Sequence, residues 1–187
     1  TFDPTDWMFS MNVFLDPLFF RRYAEGSPKV VEDFAAKIPQ ADWDKMEKPD
    51  FVGVNVYQGD PVEEDGSKSP IPAGFPLTAT KWKVTPEVMH FGILNVHKRY
   101  ACPIYITENG LSCNDRVYLD GAVHDADRID FLTRYLRELS KCLEDGVDLR
   151  GYLQWSFLDN FEWSSGYSER FGIVYVDYAT GCRTPKD

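Results

Sequence analysis

The sequence contains few of the features that mark membrane proteins, nucleic-acid-binding proteins or metalloproteins. No stretch approaches the roughly 18 consecutive apolar residues of a membrane-spanning helix, so no transmembrane segment is predicted. The 20 Lys and Arg residues are outnumbered by 30 Asp and Glu residues, which gives a formal net charge of −10. Because such a charge repels phosphate backbones and anionic lipid surfaces, we expect neither a nucleic acid nor a membrane as partner.

Cysteine and histidine are scarce, and they form no metal-binding or redox pattern. The four cysteines include no Cys-x-x-Cys pair, and the three histidines include no His-Glu-x-x-His arrangement. The glycine-rich motifs of nucleotide-binding sites and the Gly-x-Ser-x-Gly motif of hydrolases are also absent. We therefore expect no metal and no cofactor. Unpaired cysteines and the lack of a signal-peptide pattern favour a cytoplasmic location.

Aromatic residues, by contrast, are abundant. The chain carries 13 Phe, 10 Tyr and 5 Trp among its 187 residues. Such a composition is typical of a protein with a large packed interior or a surface on which ligands stack. The length suggests one domain or slightly more.

Capping signals and apolar periodicity predict four helices. The first is expected to begin at Asp16-Pro17 and to end at Gly26, and the second to run from Ser27-Pro28 to Pro39. The third begins at Thr85-Pro86 and the fourth at Asp125, with Gly146 as its cap. The apolar residues that support the last two are Met89, Ile93, Val96 and Tyr100, followed by Ile129, Leu132, Leu136, Leu139 and Leu143.

Three short strands are predicted, one after each of the last three helices, at residues 51–57, 104–108 and 150–156. Residues 58–80 are predicted to have little regular structure, and residues 171–177 form either a short extension or a hairpin arm. Strands that alternate with helices indicate βα units, a parallel sheet and an α/β fold.

The predicted strands carry polar or aromatic residues at their carboxyl ends. Asn55 and Tyr57 end the first strand, Glu108 ends the second on the same side as its isoleucines, and Trp155 ends the third. Because functional sites of parallel α/β proteins gather at this edge, these residues are candidates for one site. A tyrosine hydroxyl beside a carboxylate can hold it oriented and ionised by donating a hydrogen bond.

The segment from Trp155 to Trp163 reads Trp-Ser-Phe-Leu-Asp-Asn-Phe-Glu-Trp and allows two interpretations. It is either an aromatic turn of the core or a platform for a sugar. Indole faces stack on the C–H face of a pyranose, and a carboxylate such as that of Glu162 accepts hydrogen bonds from two hydroxyls. Residue chemistry alone leaves both interpretations open.

Four motifs resemble those of glycoside hydrolase family 1, the retaining β-glucosidase-like enzymes. Tyr105-Ile-Thr-Glu-Asn-Gly110 is similar to the nucleophile motif, and Trp155–Trp163 to the glycone-binding segment. Phe51–Tyr57 resembles the sixth-strand motif, and Arg183-Thr-Pro-Lys186 the C-terminal run. The resemblance extends from about residue 5 to residue 187. It implies a (β/α)8 barrel, with residues 1–187 as the C-terminal portion of a single barrel domain that covers roughly strands six to eight.

The resemblance also implies roles for individual residues. Glu108 would be the nucleophile and Tyr57 the residue that orients it, whereas the substrate would be an unphosphorylated β-glycoside or oligosaccharide, because Glu162 would repel a phosphate. The Trp155–Ser156 peptide bond is often cis in this family. The residues implied in substrate binding are Asn55, Trp82 on the aglycone side, Trp155 in the glycone floor, Glu162 and Trp163 at the far hydroxyls, and Phe171 beside them.

The Asn-Glu-Pro motif that carries the family's general acid/base does not occur in the sequence. Retaining hydrolysis needs two carboxyl groups, so this sequence predicts a fragment that is inactive alone and has the N-terminal part of the barrel as its partner. The alternatives are a thioglucosidase or transglycosidase of the same family, or a carbohydrate-binding relative without catalytic activity.

Overall fold

The computed structural model describes the backbone of residues 6–24, 27–65 and 67–187, and the side chains of these residues except 6–10. The chain divides into two compact units, Thr1–Asp50 with Val62–Lys68 and Phe51–Pro61 with Ser69–Asp187. None of the described helices is long and apolar enough to cross a membrane.

The first unit contains helices α1 (Asp6–Phe20), α2 (Lys29–Ala35) and α3 (Gln40–Asp44). The prediction that a helix begins at Asp16-Pro17 is wrong, because α1 runs through Pro17 as an interior residue. Pro17 lies three residues before the end of α1 and removes only the one hydrogen bond that its own N–H would donate, so the helix continues through it. The predicted helix end at Gly26 lies outside the described residues. The second predicted helix is split, since α2 ends at Ala35 and α3 begins after Pro39.

The second unit is built on a parallel sheet of three strands, β1 (Val52–Asn55), β2 (Ile104–Asn109) and β3 (Leu149–Gln154), in the order β1-β2-β3. Helices α4 (Val88–Tyr100) and α5 (Ala126–Glu144) make the two crossovers. The predicted alternation of strands and helices is therefore confirmed. Between residues 56 and 87 the described residues form turns and two isolated bridges, as the composition of residues 58–80 predicts.

A one-turn 3₁₀ helix (Trp163–Ser165) and an antiparallel hairpin of β4 (Val174–Val176) and β5 (Arg183–Pro185) complete the second unit. Of the two options for residues 171–177, the hairpin arm is the one observed.

The buried side of α4 agrees with the predicted stripe, whereas that of α5 agrees with it only at Leu139. The residues of α4 that are buried are Met89, Ile93, Val96 and Tyr100. On α5, Ile129, Leu136 and Leu143 are 41–57% exposed. The buried stripe instead comprises Arg128, Phe131, Tyr135, Leu139 and Cys142. Two adjacent stripes of α5 have helical spacing, so spacing alone does not decide which of them is buried. The buried stripe can include Arg128 because its guanidinium is paired with Asp115 and Asp125.

Six charged side chains form a buried ionic network in this unit. Its members are Asp125, Arg128, Asp115, Lys186, Asp159 and Arg170, three acids and three bases, linked in that order. The side chains of Asp159 and Lys186 are completely buried, and those of Arg128 and Asp115 are 1% and 4% exposed. Buried charges are tolerated only when they are paired, and this network balances its charges internally.

The network holds segments that are distant in sequence. Lys186 Nζ lies 2.5 Å from Asp115, 2.9 Å from Asp159 and 2.6 Å from the carbonyl oxygen of Gly172. Asp159 also accepts hydrogen bonds from Arg170 at 2.6 Å and from the Gly172 N–H at 3.0 Å. The loops that follow β2 and β3 are thereby tied to the segment that follows β5.

Candidate active site

A β-bulge in β2 determines the direction of the Glu108 side chain. Val54 pairs with Ile106, but the next residue of β1, Asn55, pairs with Glu108. One extra residue in β2 therefore inverts the alternation of side chains at its carboxyl end. Glu108 consequently lies on the face of Tyr105 and Asn55, and the prediction that it shares a side with Ile104 and Ile106 is wrong. The signal for the bulge is absent from the alternation pattern itself.

Tyr57 and Glu108 are joined by a direct hydrogen bond. The Tyr57 hydroxyl donates to Glu108 Oε2 at 2.7 Å, in a half-buried position. Burial raises the pKa of Tyr57 well above its ordinary value, and the hydrogen bond to Glu108 and the negative charges of Glu108 and Glu162 raise it further. The phenol therefore keeps its proton and stays a donor to the carboxylate at all moderate pH values.

Three aromatic rings form a cluster beside this pair. The ring centroids of Tyr57 and Trp82 lie 5.0 Å apart, and Phe171 is 6.1 Å from Tyr57 and 5.9 Å from Trp82. Phe171 is only 2% exposed, so most of its surface is occupied by its neighbours. Trp82 is half-buried and presents part of its indole to the site.

Asn55 lies on the open face of the sheet. Its side-chain oxygen accepts a hydrogen bond of 2.7 Å from the Thr107 hydroxyl, and both residues are exposed. Thr107 is the residue next to Glu108, and Asn55 is the strand partner of Glu108. Asn55 and Glu108 therefore lie on the same face of the sheet.

Asn109 is a structural residue of the site whose role the sequence analysis missed. It is completely buried, its amide nitrogen donates to the Val56 carbonyl at 2.7 Å, and its oxygen accepts from the Tyr152 hydroxyl at 2.8 Å. These bonds connect the ends of all three strands. The only feature of the sequence that could have indicated this role is that Asn109 directly follows Glu108 at the end of a predicted strand.

Trp155 follows β3 and is held by the end of β2. Its N–H donates to the Asn109 carbonyl at 2.8 Å, and its own carbonyl accepts from Gln154 Nε2 at 2.7 Å. The Trp155–Ser156 peptide bond is cis, which confirms the expectation from the resemblance. Gly110 packs directly on this carbonyl, because a Cβ atom at position 110 would lie 1.8 Å from the Trp155 oxygen.

Replacing Gly110 by alanine is therefore expected to lower the free energy of unfolding by about 3 kcal/mol or more, since backbone has to move. Gly92→Ala in α4 is the matched control. Its Cβ would meet nothing nearer than Val88 Cγ2 at 3.5 Å, so a gain of up to about 1 kcal/mol is expected. Urea unfolding measures both values, and equal stability of the two variants would contradict the assigned contact.

Glu162 and Trp163 stand at the far end of the Trp155–Trp163 segment. The backbone is folded back there, since the Glu162 N–H donates to the Gly166 carbonyl at 2.6 Å. Trp163 has a positive φ of 40° and is 83% exposed. Its indole is therefore accessible to a ligand or to protein segments beyond these 187 residues. The negative charge of Glu162 also contributes to the raised pKa of Tyr57.

A second group of potential ligand atoms lies outside this site, at a cavity of about 650 Å³ between residues 76–84 and 111–131. Cys113, Asp115 and Asp125 approach one another there within 4.8 Å. Both carboxylates are already paired with Arg128, and Asp115 also with Lys186. Burial raises the pKa of the Cys113 thiol to about 12, so the thiol stays protonated. This group therefore does not fit a metal ion.

Comparison with known proteins identifies the class of protein that carries this site. The model of glycosyl hydrolase family 1 matches residues 4–187, and the chain belongs to this family. The family consists of enzymes that fold as (β/α)8 barrels, and the chain corresponds to part of such a barrel.

Similar proteins include Beta-glucosidase A from Thermotoga maritima, which is 43% identical over 94% of this chain and 41% of that protein. A bifunctional beta-D-glucosidase/beta-D-fucosidase from Bifidobacterium breve is 34% identical over 94% of this chain and 44% of its own length. The structure of the T. maritima beta-glucosidase in complex with castanospermine matches 95% of this chain and 41% of its own, with a TM-score of 0.78 and 42% identity. The chain thus spans less than half the length of these relatives.

Proposed function

We propose that the protein is a retaining β-glycosidase of the β-glucosidase type, which hydrolyses unphosphorylated β-glycosides through a covalent glycosyl-enzyme intermediate. The observation that carries this proposal is the 2.7 Å hydrogen bond between Tyr57 and Glu108 at the carboxyl ends of neighbouring strands. Barrel enzymes hold their catalytic groups at this end of the strands. Family membership and the names of the relatives support the same reaction.

In this proposal Glu108 is the nucleophile. Tyr57 holds Oε2, and the other carboxylate oxygen attacks the anomeric carbon while the bond from that carbon to the aglycone oxygen breaks. The aglycone oxygen takes up a proton from the general acid. Water then attacks the anomeric carbon, gives a proton to the conjugate base of that acid, and releases Glu108 as the carboxylate. A neutral phenol suits this cycle, because it stabilises the carboxylate without adding a charge to the site.

The proposed sugar contacts are those that the resemblance to glycoside hydrolase family 1 implies. Trp155 supplies the glycone floor, and Asn55 contacts the sugar close to Glu108. At the far hydroxyls Glu162 accepts hydrogen bonds, with Trp163 and Phe171 beside it, whereas Trp82 lies on the aglycone side. A phosphorylated glycone is disfavoured, since the Glu162 carboxylate would face its phosphate.

We infer that the general acid/base is supplied from outside these 187 residues. Retaining hydrolysis requires two carboxyl groups about 5–5.5 Å apart, and the relatives extend over more than twice the length matched here. Residues 1–187 then form the C-terminal portion of a single barrel domain, roughly strands six to eight. Alone they are expected not to hydrolyse ordinary glycosides, because one carboxylate and three strands do not make a complete site.

Covalent labelling tests the proposal. The protein is expressed from its complete coding sequence and treated with a 2-deoxy-2-fluoro-β-glucoside that has a dinitrophenyl leaving group, which needs little acid assistance. We expect one adduct by intact mass, located on Glu108 by peptide mapping, and none in Glu108→Gln. The 6-phosphorylated form of the reagent is expected to label much more slowly. An adduct on another residue, or faster labelling by the phosphorylated form, would refute the respective assignment.

Tyr57→Phe is expected to lower kcat/KM by about 10- to 100-fold, the effect of a hydrogen bond to a charged group. Because burial and nearby carboxylates keep Tyr57 protonated, its ionisation does not produce the alkaline limb of the pH–rate profile. That limb is therefore expected at the same pH in the variant and in the wild type. A shift of the alkaline limb in Tyr57→Phe would show that the phenol titrates in the active range.

A further inference from the structure

A hydroxyl group from the outer helix α5 reaches the segment that carries Tyr57. Tyr135 is fully buried, and its ring stacks on Phe131 with a centroid distance of 3.8 Å. Its hydroxyl donates to the Tyr57 carbonyl at 3.1 Å and accepts from the Thr85 N–H at 2.9 Å. The phenol oxygen is therefore fixed by a donor on one side and an acceptor on the other.

Thr85 places a second hydroxyl on the same segment. Its Oγ1 accepts a hydrogen bond of 2.8 Å from the Gly59 N–H, two residues beyond Tyr57. We call the hydroxyls of Tyr135 and Thr85 the hydroxyl clamp. Because β1 ends at Asn55, the clamp rather than strand pairing holds the backbone of residues 57–59.

The position of this backbone decides whether Tyr57 meets Glu108. The Tyr57 hydroxyl lies at the end of a rigid ring, so a small displacement of its backbone carries the oxygen away from Glu108 Oε2. Hydrogen bonds weaken steeply with misalignment, and the bond concerned is short, at 2.7 Å. Burial raises the pKa of Tyr135, so its hydroxyl also keeps the proton that it donates.

We propose that Tyr135 is a positioning residue for the proposed catalytic pair, acting through the Tyr57 backbone on the hydrogen bond between Tyr57 and Glu108. This inference rests on the proposed function. It assigns a role in the reaction to a fully buried residue of α5, whose hydroxyl bonds the backbone of residues 57 and 85.

The test uses Tyr135→Phe in the protein expressed from its complete coding sequence. This change removes one oxygen atom and keeps the ring that stacks on Phe131. We expect kcat to fall by about 3- to 10-fold, the effect of one neutral hydrogen bond, with KM within twofold of the wild type. The matched control is Tyr118→Phe at a 40% exposed tyrosine, which is expected to leave both constants unchanged.

A double-mutant cycle with Tyr57→Phe separates positioning from a general structural effect. Once the Tyr57 hydroxyl is absent, removal of the Tyr135 hydroxyl is expected to lower kcat by less than twofold more. A general structural role would instead multiply the two effects. Thr85→Val removes the second hydroxyl of the clamp and is expected to lower kcat by a similar factor, with the same non-additivity toward Tyr57→Phe. This variant provides the test if Tyr135→Phe does not fold.

Two results overturn the inference: clamp variants with kcat within twofold of the wild type, or losses that multiply with that of Tyr57→Phe. Either result leaves the proposed function intact as long as Glu108→Gln is inactive. Retained turnover in Glu108→Gln would instead overturn the proposed function itself, so the two failures are distinguishable.

Discussion

Replacing Glu108 by glutamine is expected to lower kcat/KM for an aryl β-glucoside by at least about 10⁴-fold. The amide is nearly the same size as the carboxylate, but it is a poor nucleophile and places no negative charge at the anomeric carbon. Glutamine also keeps an oxygen that accepts the hydrogen bond from Tyr57. The fold is therefore expected to persist, and the loss belongs to the chemical step. Steady-state kinetics of the protein expressed from its complete coding sequence measure the effect.

Two further variants sharpen this test. Glu144→Gln, at the exposed last residue of α5, is the matched control and is expected to retain full activity. Glu108→Gly leaves space for a small anion, so added azide is expected to restore turnover of a substrate with an activated leaving group. The product should be an α-glycosyl azide, because azide attacks from the side that the carboxylate occupied. A β-configured azide product would place the nucleophile elsewhere.

Replacing Lys186 by methionine is expected to lower the free energy of unfolding by about 3–5 kcal/mol. Methionine fills a similar volume, but it removes the cation that lies between Asp115 and Asp159 in the buried ionic network. Arg128 is then the remaining cation that pairs with Asp115, and Arg170 is the remaining cation that pairs with Asp159. A buried carboxylate without full compensation is costly because water cannot solvate it. Urea unfolding monitored by tryptophan fluorescence measures the change.

Lys141→Met provides the matched control for this substitution. Lys141 is 48% exposed and pairs with Glu138 at 2.6 Å on the surface of α5. Exposed ion pairs contribute between zero and about 1 kcal/mol, so this variant is expected to remain close to the wild type. The deficit of Lys186→Met should also persist at high salt, since buried pairs are poorly screened. Equal losses of unfolding free energy in the two variants would show that the buried network contributes no more to stability than an exposed ion pair.

The order of the elements and the location of the site could be predicted because both depend on local patterns. Strand-length apolar runs, the stripe of α4 and the polar strand ends led to a parallel sheet with Tyr57 and Glu108 at one edge, as observed. The glycine after α5 also marks its end correctly, with a φ of 79° at Gly146. Such signals lie within a few residues of the feature that they specify.

The features that escaped prediction depend on side-chain contacts that apolar periodicity and capping rules do not reveal. Asp125 does precede α5, but its carboxylate pairs with Arg128 and makes no capping hydrogen bond with the helix backbone. Thr85 bonds Gly59, and α4 begins three residues later, at Val88. In both cases the side chain that capping rules assign to the helix end has another partner, which for Thr85 is a residue 26 positions away and for Asp125 is an arginine in the first turn of α5. The buried stripe of α5 likewise depends on contacts outside the helix, since it includes Arg128, which pairs with Asp115 in the buried ionic network.

The bulge in β2 has a consequence for anyone who transplants this site into a designed protein. A designer who copies the tyrosine and the glutamate onto idealised strands would direct the carboxylate to the buried face of Ile104 and Ile106, away from the tyrosine. The extra residue must be copied as well, together with the asparagine that follows and bonds the neighbouring strand ends. The smallest unit that can be transferred therefore includes the β-bulge of the backbone, and the catalytic side chains alone are not sufficient.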